Sequence, residues 1–174
     1  MSKILLNLAI SLDGFIEGPN GEYDWCLTDQ DYGMTAFLQR CEAIVFGRKS
    51  YEVLLQYDAN PYPDKMKYVF SNTIGSVAGN AMVVSGDIGE ALAGIKLRTQ
   101  GDIWFFGGAA LLEEFLRQDL IDEMHLSVHP LLLGSGKKLF QQAEQHKPLQ
   151  LMRVETYSSG LVQLIYQQHA GAQG

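Results

Sequence analysis

The stretch Ile103-Trp104-Phe105-Phe106-Gly107-Gly108-Ala109-Ala110-Leu111-Leu112-Glu113-Glu114-Phe115-Leu116 restricts the fold of this chain more than any other part of it. Its opening apolar run is too short for a helix and has no polar face, which predicts a strand buried on both sides. Two glycines follow, and then Leu111, Leu112, Phe115 and Leu116 recur at the spacing of one helical face. A strand that feeds a helix through a two-glycine turn is the basic unit of an α/β sheet. Glycines at that point also let backbone N–H groups meet an anion without side chains in the way, and the helix dipole adds partial positive charge there. The same pair serves equally well as a tight turn that binds nothing.

A second segment has the same plan. Ala43-Ile44-Val45-Phe46-Gly47-Arg48-Lys49-Ser50-Tyr51-Glu52 runs from strand through glycine into a helix start, with two cations and a hydroxyl. Arg48 offers a fork for phosphate, Lys49 a point charge and Ser50 a donor. Tyr68-Val69-Phe70 then ends in Ser71-Asn72-Thr73, three small polar residues at a strand exit. Three such strand ends in one open sheet point to a long, multiply charged ligand such as a dinucleotide phosphate. Two phosphate motifs are excluded. Gly134-Ser135-Gly136-Lys137-Lys138 has Leu131 and Lys138 where a P-loop needs Gly and Ser/Thr, and Gly107-Gly108 lacks the Gly-x-Gly-x-x-Gly fingerprint.

With 174 residues, 47% of them hydrophobic, the chain has the length of one domain with a sizeable core. Its net charge of −7 argues against nucleic acid as a partner. Cys26 and Cys41 lack disulfide-framework or Cys-x-x-Cys spacing, no apolar run approaches membrane-spanning length, and residues 1–10 lack the cleavage pattern of a signal peptide. The expectation is a cytoplasmic protein without a membrane partner.

Periodicity predicts strands over 3–10, 43–46, 67–70, 82–84 and 103–106, and helices over 31–41, 49–56, 88–96 and 109–118. Near the end, Met124, Leu126 and Val128 alternate with His125, Ser127 and His129, and residues 149–156 and 161–167 read as an antiparallel hairpin. The fold class is α/β, with a mostly parallel central sheet, antiparallel strands toward the C-terminus and helices on both faces. One domain is expected over 1–169, with 170–174 a disordered tail. His125 and His129 share a strand face but lie roughly 13 Å apart at about 3.3 Å per residue, so no metal site is expected there. Leu131, Leu132 and Leu133, flanked by glycines, would leave apolar area exposed on a monomer, and a homodimer contact would explain them.

The ordered set Ser11-Leu12-Asp13-Gly14, Phe46-Gly47-Arg48-Lys49-Ser50-Tyr51, Val69-Phe70-Ser71-Asn72, Phe106-Gly107-Gly108-Ala109 and Ile121-Asp122-Glu123-Met124-His125-Leu126, leading to Pro130-Leu131-Leu132-Leu133-Gly134-Ser135-Gly136, resembles the dihydrofolate reductase-like superfamily. The nearest resemblance is to the C-terminal reductase domain of the bifunctional riboflavin-biosynthesis protein. It implies NADPH as cofactor, with Gly107, Gly108 and Ala109 at the pyrophosphate. Gly47, Arg48, Lys49, Ser50, Ser71 and Asn72 would surround the adenosine ribose and its 2′-phosphate. It implies hydride transfer to a small heterocycle of pteridine or aminopyrimidine type, Asp13 and Asp31 being the candidate catalytic acids and Asp13 and Trp25 the candidate substrate contacts. The pyrimidine reductase of riboflavin synthesis, a dihydrofolate reductase and a non-catalytic nucleotide-binding protein are the alternatives. Where the riboflavin enzyme often carries Glu before the glycine pair, this chain has Phe106. Two of these residues have a plain structural reading as well: Asp13-Gly14 suits a turn, and Thr28-x-x-Asp31 suits a helix cap.

Overall fold

The computed structural model describes residues 1–141 and 146–168; the expected tail at 170–174 lies outside them. The strands are β1 (Ile4–Ser11), β2 (Phe15–Glu17), β3 (Cys41–Gly47), β4 (Met66–Phe70), β5 (Ala81–Val84), β6 (Asp102–Gly107), β7 (Glu123–His129), β8 (Lys137–Lys138), β9 (Leu149–Thr156) and β10 (Val162–Gln168). The helices are α1 (Met34–Arg40), α2 (Arg48–Tyr57), α3 (Ile88–Arg98) and α4 (Ala109–Arg117). The main sheet has eight strands in the order β5-β4-β3-β6-β1-β7-β10-β9, and β2 pairs with β8 in a small ladder of its own.

The chain forms two compact units, one of Met1–Leu5 with Gly33–Asp122, the other of Leu6–Tyr32 with the described residues from Glu123 onward. In the first unit β3 runs parallel to both β4 and β6, and β4 parallel to β5. The four-residue run Ile44, Val45, Phe46 and Gly47 is buried throughout, because helices cover both faces. On one face Phe37 of α1 meets Trp104 edge-on at 5.6 Å, and Tyr51 of α2 meets Phe46 at 5.6 Å. On the other, Phe115 of α4 packs against Phe105 at 4.8 Å and Phe70 at 6.0 Å. The indole Nε1 of Trp104 is buried without a hydrogen-bond partner. At the start of α3 the Asp87 carboxylate caps the Glu90 N–H, while Lys96 and Arg98 sit in its last turn, matching the helix dipole at both ends.

In the second unit β10 pairs antiparallel with β7 and with β9. Here the alternation read from the sequence sorts polar from apolar. Glu123, His125 and His129 point to one side of β7, and all three are buried. They are satisfied there: His125 Nε2 lies 3.2 Å from Glu123, and the neighbouring Gln163 side chain donates to Ser127 Oγ at 3.3 Å. The ladder between β2 and β8 was not evident in the sequence. It depends on Gly136, whose backbone passes so close to Glu17 that an added Cβ would stand 2.1 Å from the Glu17 carbonyl oxygen.

Candidate functional site

The two strand–glycine–helix units meet. Parallel pairing of β3 with β6 sets Phe46 beside Gly107, and the turns that follow touch backbone to backbone. A Cβ on Gly108 would lie 2.9 Å from the Gly47 Cα, and one on Gly47 would lie 3.1 Å from the Gly108 Cα. Gly108 also holds φ +124, a backbone angle that side chains rarely adopt. The glycines are thus required by the contact between the turns as well as by any ligand. Gly107 differs: a Cβ there would meet only the Ser50 hydroxyl, at 3.2 Å.

This contact brings two helix N-termini together. α2 starts after Gly47 and α4 after Gly108; neither N-cap provides a side-chain hydrogen bond, and neither helix has an acid in its first turn. The first intrahelical bond of α4 is donated by the Leu112 N–H to the Gly108 carbonyl, so the amides ahead of it have no partner in the helix. Unsatisfied amides and two dipole ends at one point make a strong anion site. β4 extends the row, since Gly47 pairs with Phe70 and Ser71 therefore follows one residue beyond. The Ser71 hydroxyl accepts the Thr73 and Ile74 N–H groups at 3.1 and 3.0 Å, which fixes a turn. Asn72 and Lys49 are exposed. Arg48 is half-buried and donates through Nη1 to both Glu52 carboxylate oxygens, at 3.2 and 3.1 Å, so its guanidinium lies along its own helix.

The remaining predicted residues belong to the second unit. Asp13 is no free carboxylate. The Ser11 hydroxyl donates to it at 2.6 Å, and the Leu133 and Gly134 N–H groups donate at 3.0 and 2.8 Å. Those bonds, the Ser11 hydroxyl first, pull its carboxyl down to about 2. An anion held this way clasps the segment after β7 and is a poor proton donor near neutral pH, which corrects the catalytic reading of Asp13. Leu131 and Leu133 are half-buried beside this clasp, leaving Leu132 as the exposed member of the trio.

Trp25 is half-buried, its indole N–H bonded to the Glu22 carbonyl at 3.3 Å and its ring edge-on to His129 at 5.3 Å. His129 Nε2 accepts the Leu27 N–H at 3.1 Å, so its proton sits on Nδ1, 2.8 Å from the Ser127 carbonyl. Asp31 is exposed in the segment before α1. The Thr28-x-x-Asp31 cap does not form; α1 starts only after Gly33, which has φ 78 and no side-chain cap. Sequence reasoning missed Tyr32. It holds φ 49, and its hydroxyl lies 2.6 Å from Asp29 and 2.8 Å from Ser159. Its phenol lowers the Asp29 carboxyl. Nothing in sequence spacing joins residue 32 to a hairpin turn near residue 159.

Among the described residues no cluster of three His, Cys, Asp or Glu could hold a metal ion, and no helix is long and apolar enough to cross a membrane. An open cleft of about 610 Å³ lies between Glu17, Gly18, Gly136, Lys137 and Lys138 in the second unit, and includes none of the predicted site residues.

The model of the RibD C-terminal domain family matches residues 2–163. The chain belongs to that family. It is 42% identical to YyaP of Bacillus subtilis (strain 168) over 94% of both chains, and 33% identical to YwjB of the same organism over 94% of this chain and 97% of that one. Among solved structures, one from Shewanella sp. PV-4 named for riboflavin biosynthesis superposes with a TM-score of 0.84 at 29% identity, covering 97% and 99% of the two chains. Dihydrofolate reductase from Enterococcus faecalis, complexed with NADP(H), matches with a TM-score of 0.70 at 15% identity over 96% of each chain. The fold of this RibD C-terminal domain is therefore dihydrofolate reductase-like, and its family is reductase-like.

Proposed function

We propose that this chain is an NADPH-dependent reductase acting on a small heterocycle of pteridine or aminopyrimidine type. The observation that carries the reading is the contact of Gly47 with Gly108, which brings two uncapped helix N-termini to one point. A dinucleotide pyrophosphate fits those donors: the amides of Gly108 and Ala109 would hold it and Ser50 would flank it. Ser71 and Asn72 close the row beside Arg48, whose guanidinium would turn from Glu52 toward a 2′-phosphate, with Lys49 adding charge. Bound there, the cofactor supplies a hydride. The chain's own part is orientation, exclusion of water and a proton.

Phe106 shapes the substrate choice. It lies immediately before the glycine pair and packs against Phe46 at 4.8 Å and Trp104 at 4.9 Å. An aromatic wall at a strand end favours a flat, uncharged ring over a sugar phosphate, so the pterin-like reading ranks above the phosphoribosyl-aminouracil reductase. With Asp13 held as an anion, Asp31 is the proposed proton donor, while Asp13 and Trp25 shape the substrate end. Both cysteines are free, and burial pushes their thiols up to about 11 for Cys26 and about 12 for Cys41, inert thiols that suit a cytoplasmic setting. The test follows NADPH oxidation with pterins, aminopyrimidines and small carbonyls, beside titration of NADPH and NADH by fluorescence. Equal affinity for the two cofactors would sink the assignment. Tight NADPH binding without turnover on any of these compounds would favour a non-catalytic nucleotide binder.

A further inference from the structure

β9 ends the strand order of the main sheet, so one of its edges has no neighbouring strand among the described residues. The register aligns Val154 with Leu164 and Leu126, and Leu151 with Tyr166 and Met124. These six share one sheet face, and none carries a charge. Exposure grows toward the edge: Met124 and Leu126 are buried, Leu164 and Tyr166 half-buried, and Leu151 and Val154 are 49% and 46% exposed. An apolar face that opens outward at an unpaired edge is a liability for a chain on its own.

The opposite face of the same strand is charged and self-complementary. Arg153 and Glu155 stand two residues apart and pair with each other at 3.1 Å, both exposed. The strand is irregular only at Met152, where the register with β10 slips, and it is regular over 153–156.

We propose that this edge docks a second copy of the chain, two β9 strands pairing antiparallel about a two-fold axis at Val154. Charge and face together select that register. With the axis at Val154, Arg153 lies opposite the partner's Glu155, Glu155 opposite the partner's Arg153, and the apolar face continues across the junction from Val154 to the partner's Val154. An axis at Arg153 or at Glu155 sets like charges against each other, which is destabilising. An axis half a residue away sets Val154 against the partner's Glu155 and breaks the apolar face. The pairing also avoids the bulge at Met152, a device that otherwise guards edges. The interface accordingly lies at β9 rather than at Leu131, Leu132 and Leu133, two of which are half-buried beside the Asp13 clasp.

Light scattering on the unliganded chain at micromolar concentration tests this independently of any cofactor. The wild type is expected at twice the chain mass, and Val154→Asp at the chain mass with its thermal midpoint retained. Arg153→Glu and Glu155→Arg, both surface changes that spare the fold, should each weaken the dimer by roughly tenfold or more, and the double variant R153E/E155R should restore it. Leu132→Asp should leave the dimer intact. A monomeric wild type overturns the proposal, as does a dimer that survives both single charge reversals or that only Leu132→Asp dissociates.

Discussion

Gly108 and Gly107 are adjacent, yet the structure assigns them different burdens, and substituting each by alanine separates packing from binding. At Gly108 the new Cβ meets the Gly47 Cα at 2.9 Å and the Gly47 nitrogen at 3.1 Å, both backbone atoms that cannot swing aside, and the residue must hold φ +124. The backbone angle costs about 1–3 kcal/mol and the overpacking about 1–3 kcal/mol more. Gly108→Ala should thus lose roughly 2–5 kcal/mol, which for a chain of this size lowers the thermal midpoint by roughly 5–20 °C. At Gly107 the nearest atom is a hydroxyl at 3.2 Å, on a side chain that can yield by a few tenths of an ångström. Gly107→Ala should cost under about 1 kcal/mol. If a pyrophosphate lies over this turn, however, the methyl group takes its space and NADPH affinity should fall by at least about tenfold. Melting curves and NADPH titrations on the two variants and on Ser50→Ala/Gly107→Ala, which removes the hydroxyl contact, complete the set. An unchanged midpoint for Gly108→Ala refutes the backbone contact. Wild-type NADPH affinity in Gly107→Ala refutes the placement of the phosphate.

Arg48→Ala should weaken NADPH by about 1.5–3 kcal/mol, the scale of a charged hydrogen bond, and leave NADH nearly unchanged; calorimetry with both cofactors checks it. Glu52→Gln, by weakening the hold on the guanidinium, should tighten NADPH a few-fold in the same assay. Asp13 has its carboxyl at about 2 in the folded chain against an ordinary 3.8, so the stability it contributes is complete above the ordinary value and drains away as pH falls from there toward 2. Urea midpoints between pH 5 and pH 2 should therefore fall less steeply for Asp13→Asn than for the wild type. Phe115, fully buried between Phe105 and Phe70, should cost about 3–5 kcal/mol when cut to alanine, read from denaturant unfolding.

Most of the fold was legible because its elements are short, strongly periodic and punctuated by glycine. The strand at 103–106 appears as Asp102–Gly107 and the helix at 109–118 as Ala109–Arg117, each within a residue of the reading. The exception is the helix expected from 31, which starts at Met34. Asp31 offered the chemistry of a cap, but Tyr32 and Gly33 both adopt positive φ and break the helix before the acid can serve it. A left-handed tyrosine has no signature in the sequence. What sustains it is distant: its hydroxyl bonds to Ser159, and the Gln163 side chain reaches toward its carbonyl at 3.5 Å.

The site divides along the same line. Residue type and position relative to a strand end identified Gly47, Ser50, Ser71, Gly107 and Gly108, because parallel neighbours in register bring the ends of β4, β3 and β6 into one row. The state of the ionisable groups was not legible. A carboxylate reads the same in sequence whether it faces a substrate or two backbone amides, and Asp13 meets the amides of Leu133 and Gly134, some 120 positions along the chain. Arg48 likewise reads as a free fork, although a glutamate four residues on, at helical spacing, already engages it. That second omission was avoidable, since Glu52 stands in the very segment from which Arg48 was chosen. It changes the chemistry: an arginine held by its own helix must exchange one carboxylate for a phosphate, so its contribution to cofactor choice is a difference between two ion pairs and should grow as Glu52 is neutralised.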